Sequence, residues 1–305
     1  MKVVNSILEL IGATPIVRLN NMAEPDSAQV YVKLESFNPA GSIKDRPGLY
    51  MIEQAEARGT LKKGSIILEA TSGNTGLGLA MAAAIKGYPL VIIMPENMSE
   101  ERKKILKAYG AQLILSPAQE GMPGAVALAE KMAASDSRYF WVRQFNNEDN
   151  VKCHQVSTAE EIYQQMGEDL AAVVSGVGSG GTITGIASVL KEKIPGIQVI
   201  AVEPANSAVL SGKTAGIHKI QGIGAGFIPA VLNIGLIDKI ICVDDDKAIT
   251  TCRILACKEA LLLGISSGAA IYAALELAKE IGKNKKILAI APDGAEKYMS
   301  TELFA

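Results

Sequence analysis

Short apolar runs alternate with amphipathic stretches along most of the chain, and this alternation limits the fold more than any other feature. The apolar runs are almost unbroken Val, Ile and Leu, which is typical of strands that are covered on both faces. Strand–helix–strand repetition at this spacing favours parallel sheets flanked by helices, so the sequence predicts an α/β protein. The predicted strands are 29–35, 65–70, 89–94, 111–116, 171–176, 198–204 and 286–292, and the predicted helices include 45–58, 76–86, 99–108, 124–135, 182–192 and 268–282.

Length and composition indicate a globular protein of about two domains. The chain has 305 residues and a net charge of −2, which gives no electrostatic reason to expect nucleic acid or an acidic membrane as a partner. Its four cysteines form no C-x-x-C pair, which indicates reduced thiols in the cytoplasm. Residues 171–190 carry no charge, but their five glycines and five Ser or Thr residues argue against a membrane span. Two histidines without clustered cysteines give no signal for a metal site.

Four glycine-rich turns follow predicted strands or precede predicted helices. In doubly wound sheets, ligands bind beyond the carboxyl ends of the strands, so these turns are where we expect the functional site. A single glycine at such a place can merely end an element, but four such turns in one chain favour a binding site. The turns read "ATSGNTGLG", "SGVGSGGTITG", "QGIGAGF" and "GISSGAA".

The second of these turns matches two phosphate-binding patterns. Gly176, Gly178 and Gly181 form a G-x-G-x-x-G motif, and Glu203 ends the next predicted strand, as in a nicotinamide-dependent dehydrogenase. The feature that dinucleotide binding and single-phosphate binding share is more general. In both, backbone amides at a helix N-terminus bind a phosphate, and glycines leave room for it because they have no Cβ. The hydroxyl groups in this turn suit a single phosphate as well as a pyrophosphate.

Two further motif matches fail. "GISSG" at 264–268 resembles the nucleophile elbow of serine hydrolases, which requires a histidine later in the chain. Both histidines, His154 and His218, come earlier. "SGKT" at 211–214 resembles the end of a P-loop, but Ser207 stands where that motif needs glycine.

Lys44 follows the turn "NPAGS" at the point where a helix is predicted to start. Ser42 is a suitable N-cap, which would put Lys44 in the first helical turn. A cation is disfavoured at the positive end of the helix dipole, so this lysine is either an ordinary solvated side chain or one whose lowered pKa suits Schiff-base chemistry.

With Lys44 and the glycine turns identified, the chain resembles the cysteine synthase (O-acetylserine sulfhydrylase) family of pyridoxal phosphate enzymes. The resemblance runs from "SILELIGATPIVRLN" to "KYMSTELF". It implies the tryptophan synthase β-like fold, type II, with two open, twisted, mainly parallel sheets flanked by helices. It also implies a smaller, mobile domain at 40–146 that binds the substrate carboxylate and a larger domain at 1–39 plus 147–305 that holds the cofactor phosphate.

The resemblance assigns a role to each quoted motif. "NPAGSIKDR" makes Lys44 the catalytic lysine that carries the cofactor, Asn74 lies beside the cofactor's 3-hydroxyl, and Ser267 pairs with the pyridine nitrogen. The family usually has threonine where this chain has Ser179, and "PDGAEKY" departs from the family pattern at Asp293. The implied cofactor-binding residues are Lys44, Asn74, Gly178, Ser179, Gly180, Gly181, Thr182 and Ser267; the implied substrate-binding residues are Thr71, Ser72, Gly73, Thr75, Gln144, Gly222 and Ala225.

The implied reaction is β-replacement, in which O-acetyl-L-serine and sulfide give L-cysteine and acetate. A neutral serine at the pyridine nitrogen makes the cofactor a weaker electron sink, which suffices when the β-substituent leaves at once. Related reactions stay open: L-cysteine to hydrogen sulfide and lanthionine, cystathionine formation, or use of O-phosphoserine. The resemblance further implies a homodimer and a cleft for the C-terminal tail of a serine acetyltransferase; a purely regulatory homologue is disfavoured by Lys44.

Overall fold

The structure is a computed structural model that describes residues 3–304. Within these residues the chain forms ten strands and nine α-helices, joined by loops, short 3₁₀ turns and one π-helical turn (Gln155–Ala159). The strands are β1 (Ile16–Arg18), β2 (Gln29–Leu34), β3 (Ile66–Ala70), β4 (Leu90–Pro95), β5 (Gln112–Ser116), β6 (Tyr139–Trp141), β7 (Leu170–Gly176), β8 (Gln198–Pro204), β9 (Lys239–Val243) and β10 (Lys286–Ala291). The helices are α1 (Asp45–Ala57), α2 (Asn74–Lys86), α3 (Glu100–Ala108), α4 (Gly121–Ser135), α5 (Glu148–His154), α6 (Glu160–Met166), α7 (Gly181–Lys193), α8 (Asp245–Glu259) and α9 (Ile265–Ile281).

The strands form two sheets. A six-stranded sheet has the order β1-β2-β10-β7-β8-β9, and only the short edge strand β1 is antiparallel to its neighbour. A four-stranded sheet has the order β5-β4-β3-β6 and is parallel throughout. This arrangement confirms the predicted fold class of two mainly parallel sheets. The exact domain boundaries at 39/40 and 146/147 stay a prediction.

Each sheet is covered on both faces, which explains the unbroken apolar runs in the sequence. Ile67 and Leu68 are neighbours in β3, yet they belong to different hydrophobic clusters because successive strand residues point to opposite faces. In the same way, Val173 and Val174 of β7 face different clusters. All six residues of β4 are buried.

All seven strands and all six helices predicted from the sequence are present, with ends shifted by a few residues. The helices after glycine turns begin earlier than predicted: α2 starts at Asn74, α7 at Gly181 and α9 at Ile265. Their first turns therefore contain residues that the sequence assigned to loops. Three strands (β1, β6, β9) and three helices (α5, α6, α8) were not predicted.

The uncharged stretch 171–190 is divided between β7 and α7. Among the described residues, no helix has both the length and the apolar character that a membrane crossing requires.

Helices α1 and α2 cross at two glycines, and this crossing fixes the start of α1. A Cβ on Gly78 would lie 2.8 Å from the carbonyl carbon of Lys44 and closer still to its oxygen. A Cβ on Gly48 would lie 2.7 Å from the carbonyl carbon of Gly78. Because neither position has room for a side chain, the two backbones meet directly and Lys44 is held against α2.

Candidate active site

Lys44 is the N-cap residue of α1 and does not lie inside its first turn. Helical geometry begins at Asp45, and Lys44 has φ −76° and ψ −10°. The predicted N-cap, Ser42, instead accepts a hydrogen bond from the backbone N–H of Lys44 at 3.2 Å. The Lys44 side chain leaves the helix and donates from Nζ to the Ser179 hydroxyl oxygen at 3.2 Å. Residues 135 positions apart in the chain thus meet at one point.

The pKa of the Lys44 amine is lowered from 10.5 to about 8 because burial disfavours the charged form. The residue as a whole is only partly buried, but its amine lies in the protein interior. The lowered pKa was expected from the helix dipole, whereas its cause in the structure is burial. At pH 7 roughly a tenth of such an amine is neutral, a few hundred-fold more than at its ordinary pKa.

The phosphate cup, which we define as residues 178–182, joins β7 to α7. Helix α7 begins at Gly181 and no side chain caps it, so the amide groups of its first turn are open to an anion. Gly180 has φ +85°, a conformation that favours glycine. A Cβ on Gly178 would collide with the carbonyl oxygen of Gly222. Glycine is therefore required at both positions.

The cup contributes two hydroxyl groups to the cavity. Ser179 and Thr182 line it together with Gly178, Gly180 and Lys44, whereas Gly181 does not. This part of the cavity measures about 40 Å³, and it shares Lys44, Gly178 and Ser179 with a larger part of about 270 Å³.

The substrate loop, which we define as residues 71–75, lines the larger part of the cavity, as Gln144, Gly222 and Ala225 do. It leads into α2, whose N-cap Gly73 provides no side-chain cap. The Thr75 hydroxyl donates to Oε1 of Gln144 at 2.7 Å. This bond fixes the Gln144 carboxamide at the cavity wall, and the same carboxamide carries two N–H donors.

Ser266, and not Ser267, faces the cavity. The family resemblance assigned Ser267 to the pyridine nitrogen and the helix was predicted to begin at 268, but α9 begins at Ile265 and both serines lie in its first turn. Consecutive helical residues point about 100° apart, so only one of them can face the ligand. Ser266 lines the cavity, and Ser267 is fully buried and donates to the backbone carbonyl of Asp293 at 3.3 Å. The structure does not bring Ser267 to the site.

Asn74 lines the cavity and is held by a buried acid. Its Nδ2 donates to Oδ2 of Asp293 at 2.7 Å, and the Tyr298 hydroxyl donates to the same oxygen at 2.6 Å. Burial raises the pKa of the Asp293 carboxyl, although Tyr298, Lys297 and Asn74 oppose the shift. Asp293 is the residue at which the chain departs from the family pattern, and it contacts the cavity-lining Asn74.

Two residues behind the cup were not predicted as part of the site. Asn150 of α5 donates from Nδ2 to the Ser179 hydroxyl oxygen at 3.0 Å. His154 of α5 lies 3.2 Å through Nε2 from the Thr182 hydroxyl oxygen, and its Nδ1 lies 2.8 Å from the hydroxyl of Thr158. Burial, together with the positive charge of Lys44, lowers the pKa of His154 well below its usual value, so its imidazole is neutral. Because α5 was not predicted, no local pattern marked these two residues.

The arrangement does not suit a dinucleotide. Glu203, the acid expected to bind a ribose, accepts hydrogen bonds from the backbone N–H groups of Leu210 and Ser211 at 2.8 and 3.0 Å and from the Ser211 hydroxyl. Its oxygens are therefore engaged within the protein.

A larger groove of about 520 Å³ lies at the amino ends of β7, β8 and β10. It contains none of the predicted site residues, and it lies at the opposite ends of these strands from the cup. Size alone therefore does not mark the active site.

The residues of the cavity fit pyridoxal phosphate. The phosphate requires an anion cradle without side chains, which the glycines of the cup provide. The aldehyde requires an amine with a lowered pKa nearby, and Lys44 lies beside the cup. Asn74 adds a buried Oδ1 that has no hydrogen-bond partner in the protein.

Comparison with known proteins agrees with this geometry. A family model described as pyridoxal-phosphate dependent enzyme matches residues 7–293. The chain therefore belongs to the family of pyridoxal-phosphate dependent enzymes.

Within that family, the chain is similar along its whole length to cysteine synthases. Cysteine synthase of Staphylococcus aureus is 49% identical over 305 residues, which cover 100% of this chain and 98% of that protein. The crystal structure of cysteine synthase (OASS) from Entamoeba histolytica has a TM-score of 0.96 and 44% identity, and the match covers 99% of this chain and 91% of that one. A hydrogen sulfide-producing enzyme from Fusobacterium nucleatum has a TM-score of 0.93 and 44% identity, over 97% of this chain and 100% of that one. These findings confirm the family, the fold and the cofactor expected from the sequence.

Proposed function

We propose that the protein catalyses β-replacement on O-acetyl-L-serine: sulfide bonds to Cβ, the Cβ–oxygen bond breaks, and L-cysteine and acetate are formed. The observation that carries the proposal is the hydrogen bond between the Lys44 amine and the cup hydroxyl of Ser179, inside a cavity that also contains the substrate loop. Full-length similarity to cysteine synthases supports it.

Lys44 would hold the cofactor aldehyde and move the Cα proton of the substrate. When bound, pyridoxal phosphate provides the electron sink for the carbanion that develops at Cα. The Lys44 amine, with its pKa of about 8, would be neutral often enough to hold the cofactor through its aldehyde and to take the Cα proton of the substrate.

The substrate loop orients the amino acid. Thr71, Ser72 and Thr75, together with the amides at the start of α2, bind its carboxylate, and Gln144 donates from its amide N–H groups. Binding the carboxylate here directs Cα and Cβ toward Lys44. Gly222 and Ala225 line the wall beside the substrate and leave room for it.

In this proposal, Ser266 takes the role that the sequence gave to Ser267. Its hydroxyl oxygen lies 3.7 Å from the position that a Cβ on Gly222 would occupy, so it lies at the cavity wall. Ser266 would hold the pyridine nitrogen through its neutral hydroxyl and would leave the ring unprotonated, which would favour β-elimination over transamination.

The direct test is turnover by the cofactor-loaded protein. We expect O-acetyl-L-serine and sulfide to give L-cysteine and acetate in equal amounts, and we expect Lys44→Ala to lower kcat by a factor of about 10³ or more. Failure to form L-cysteine, or a Lys44→Ala variant with unchanged kcat, would contradict the proposal.

The second candidate reaction starts from L-cysteine and releases hydrogen sulfide. Similarity to the hydrogen sulfide-producing enzyme of Fusobacterium nucleatum favours including it. The two reactions are distinguished by kcat/KM for O-acetyl-L-serine with sulfide against kcat/KM for L-cysteine alone; a higher value for L-cysteine would favour the second.

We extend the proposal to a cytoplasmic homodimer whose cleft accepts the C-terminal tail of a serine acetyltransferase. Full-length similarity to cysteine synthases supports this extension. Light scattering of the purified protein tests the dimer, and inhibition of turnover by a peptide of that tail tests the partner.

A further inference from the structure

Asn150 joins the two halves of the site through one buried carboxamide. The residue is 1% exposed and lies in the first turn of α5. Its Nδ2 donates to the backbone carbonyl of Gln144 at 2.8 Å and to the Ser179 hydroxyl oxygen at 3.0 Å. The two hydrogens of this one amide therefore connect the segment that binds the substrate carboxylate to the phosphate cup.

The hydrogen bonds at Ser179 determine where its proton can go. A serine hydroxyl has two acceptor lone pairs and one O–H donor. Nitrogen donors from Lys44, at 3.2 Å, and Asn150, at 3.0 Å, both approach the oxygen. With both lone pairs engaged, the O–H is left to donate elsewhere, and Ser179 lines the cavity beside Gly178 and Gly180.

Gly181 makes room for this arrangement. A Cβ at Gly181 would lie 2.5 Å from Cγ and 2.9 Å from Nδ2 of Asn150. The carboxamide therefore lies directly against the first residue of α7, and its buried Oδ1 has no hydrogen-bond partner. Gly181, which does not line the cavity, contributes to the site by the absence of a side chain.

We propose that Asn150 is a positioning residue that directs the Ser179 proton into the phosphate cup. It does not touch the ligand itself. Capture of the aldehyde by Lys44 withdraws that amine from Ser179, and Asn150 is then the donor that keeps the hydroxyl oriented. The inference rests on the cup binding the cofactor phosphate, as the proposed function requires.

The test compares Asn150→Asp with wild type. An aspartate has nearly the same shape but offers only acceptors, so Ser179 donates to it and turns its proton away from the cup. We expect cofactor affinity to fall at least tenfold, measured by absorbance titration of the apoprotein. The phosphorus NMR resonance of the bound cofactor should shift in the same direction as in Ser179→Ala. A variant that carries both Asn150→Asp and Ser179→Ala should bind the cofactor no more weakly than the weaker-binding single variant, because both changes remove the same interaction.

Asn147→Ala is the matched control. Asn147 caps the same helix by accepting from the N–H of Asp149 at 3.0 Å, and it does not contact the cup. It should lower the melting temperature while leaving the phosphorus resonance and the cofactor affinity unchanged. If Asn150→Asp does not fold, Asn150→Ser is measured in the same way, and its apoprotein melting temperature is compared with that of Asn147→Ala.

The outcomes separate the two proposals. If Ser179→Ala leaves affinity and resonance unchanged, the cup assignment fails and the proposed function loses its phosphate site. If Ser179→Ala weakens cofactor binding but the Asn150 variants do not, the inference about Asn150 is refuted and the proposed function stands. The same holds if the losses of affinity of the two single variants multiply in the double variant.

Discussion

Replacing Gly78 by alanine tests whether the crossing of α1 and α2 positions Lys44. The added Cβ would lie 2.8 Å from the carbonyl carbon of Lys44 and 3.1 Å from Cα of Asp45. These are backbone atoms, which cannot rotate away as a side chain could. The Lys44 carbonyl oxygen would lie closer still, so the two helices must separate by roughly 0.6–1 Å, because interiors are close-packed.

The expected magnitude follows from two opposing effects. Overpacking costs about 1–3 kcal/mol, while alanine gains about 1 kcal/mol over glycine in a helix interior. Since the collision is with backbone, we take the upper part of the first range and expect a net loss of about 1–2 kcal/mol in the free energy of unfolding. A displacement approaching 1 Å costs up to about 10² in rate, so kcat should fall at least tenfold.

The measurements are the melting temperature of the apoprotein and kcat of the loaded enzyme. Gly76→Ala, in the same helix, is the matched stability control because its Cβ would meet only side-chain atoms, at 3.2 Å or more. The melting temperature of Gly78→Ala should lie several degrees below that of Gly76→Ala. Equal melting temperatures together with a wild-type kcat for Gly78→Ala would refute the reasoning.

Three further predictions concern buried polar groups. Ser266→Ala should change the visible absorbance of the bound cofactor, whereas Ser267→Ala should lose about 1 kcal/mol of stability with little change in that spectrum. Unfolding restores the Lys44 pKa from about 8 to 10.5, so between these pH values the unfolded state binds more protons and stability rises with pH. Apo Lys44→Met lacks the buried amine and should therefore be more stable than wild type at pH 8. This difference in the free energy of unfolding should shrink by about 3 kcal/mol between pH 8 and 10.5. Arg46→Met should cost about 3–5 kcal/mol, because it leaves the buried carboxylate of Glu35, now 2.7 Å from the guanidinium, without its partner.

Each of these predictions has an outcome that contradicts it. A spectrum altered by Ser267→Ala but not by Ser266→Ala would restore the assignment made from sequence. A pH-independent stability difference would mean that burial does not lower the Lys44 pKa. An Arg46→Met protein as stable as wild type would mean that its ion pairs contribute no net stability.

The fold could be predicted where the sequence signal is local and strong. Strands such as β4 are apolar at every position, and both faces of their sheets are covered, so the pattern needs no partner to be recognised. The missed strands β1 and β6 have three residues each and no fully buried position. Helix α8 was missed because its buried positions include small or polar residues, such as Ala248, Thr251 and Cys252, which give little hydrophobic signal.

The site could be predicted where its residues belong to one continuous motif. The cup and the substrate loop each lie between a strand and a helix, and their residues line the cavity except for Gly181; the roles assigned to them stay predictions. The choice between Ser266 and Ser267 could not be made, because it depends on where α9 begins. Asn150 and Asp293 act across distant segments; the bond between Asn74 and Asp293 spans 219 positions. No local pattern contains such contacts.

The cause of the lowered Lys44 pKa links the Gly78→Ala prediction to aldehyde capture by the Lys44 amine. A helix dipole would act on Lys44 as soon as α1 formed. Burial acts only when the phosphate cup packs against the Lys44 amine, which requires the tertiary structure. The pKa is therefore a property of the assembled cavity, and moving α1 away from α2 should raise it toward 10.5. In apo Gly78→Ala, the pH dependence of aldehyde capture should shift to higher pH than in wild type. An unchanged midpoint, in a variant whose melting temperature has fallen, would mean that burial of the amine does not depend on the helix crossing.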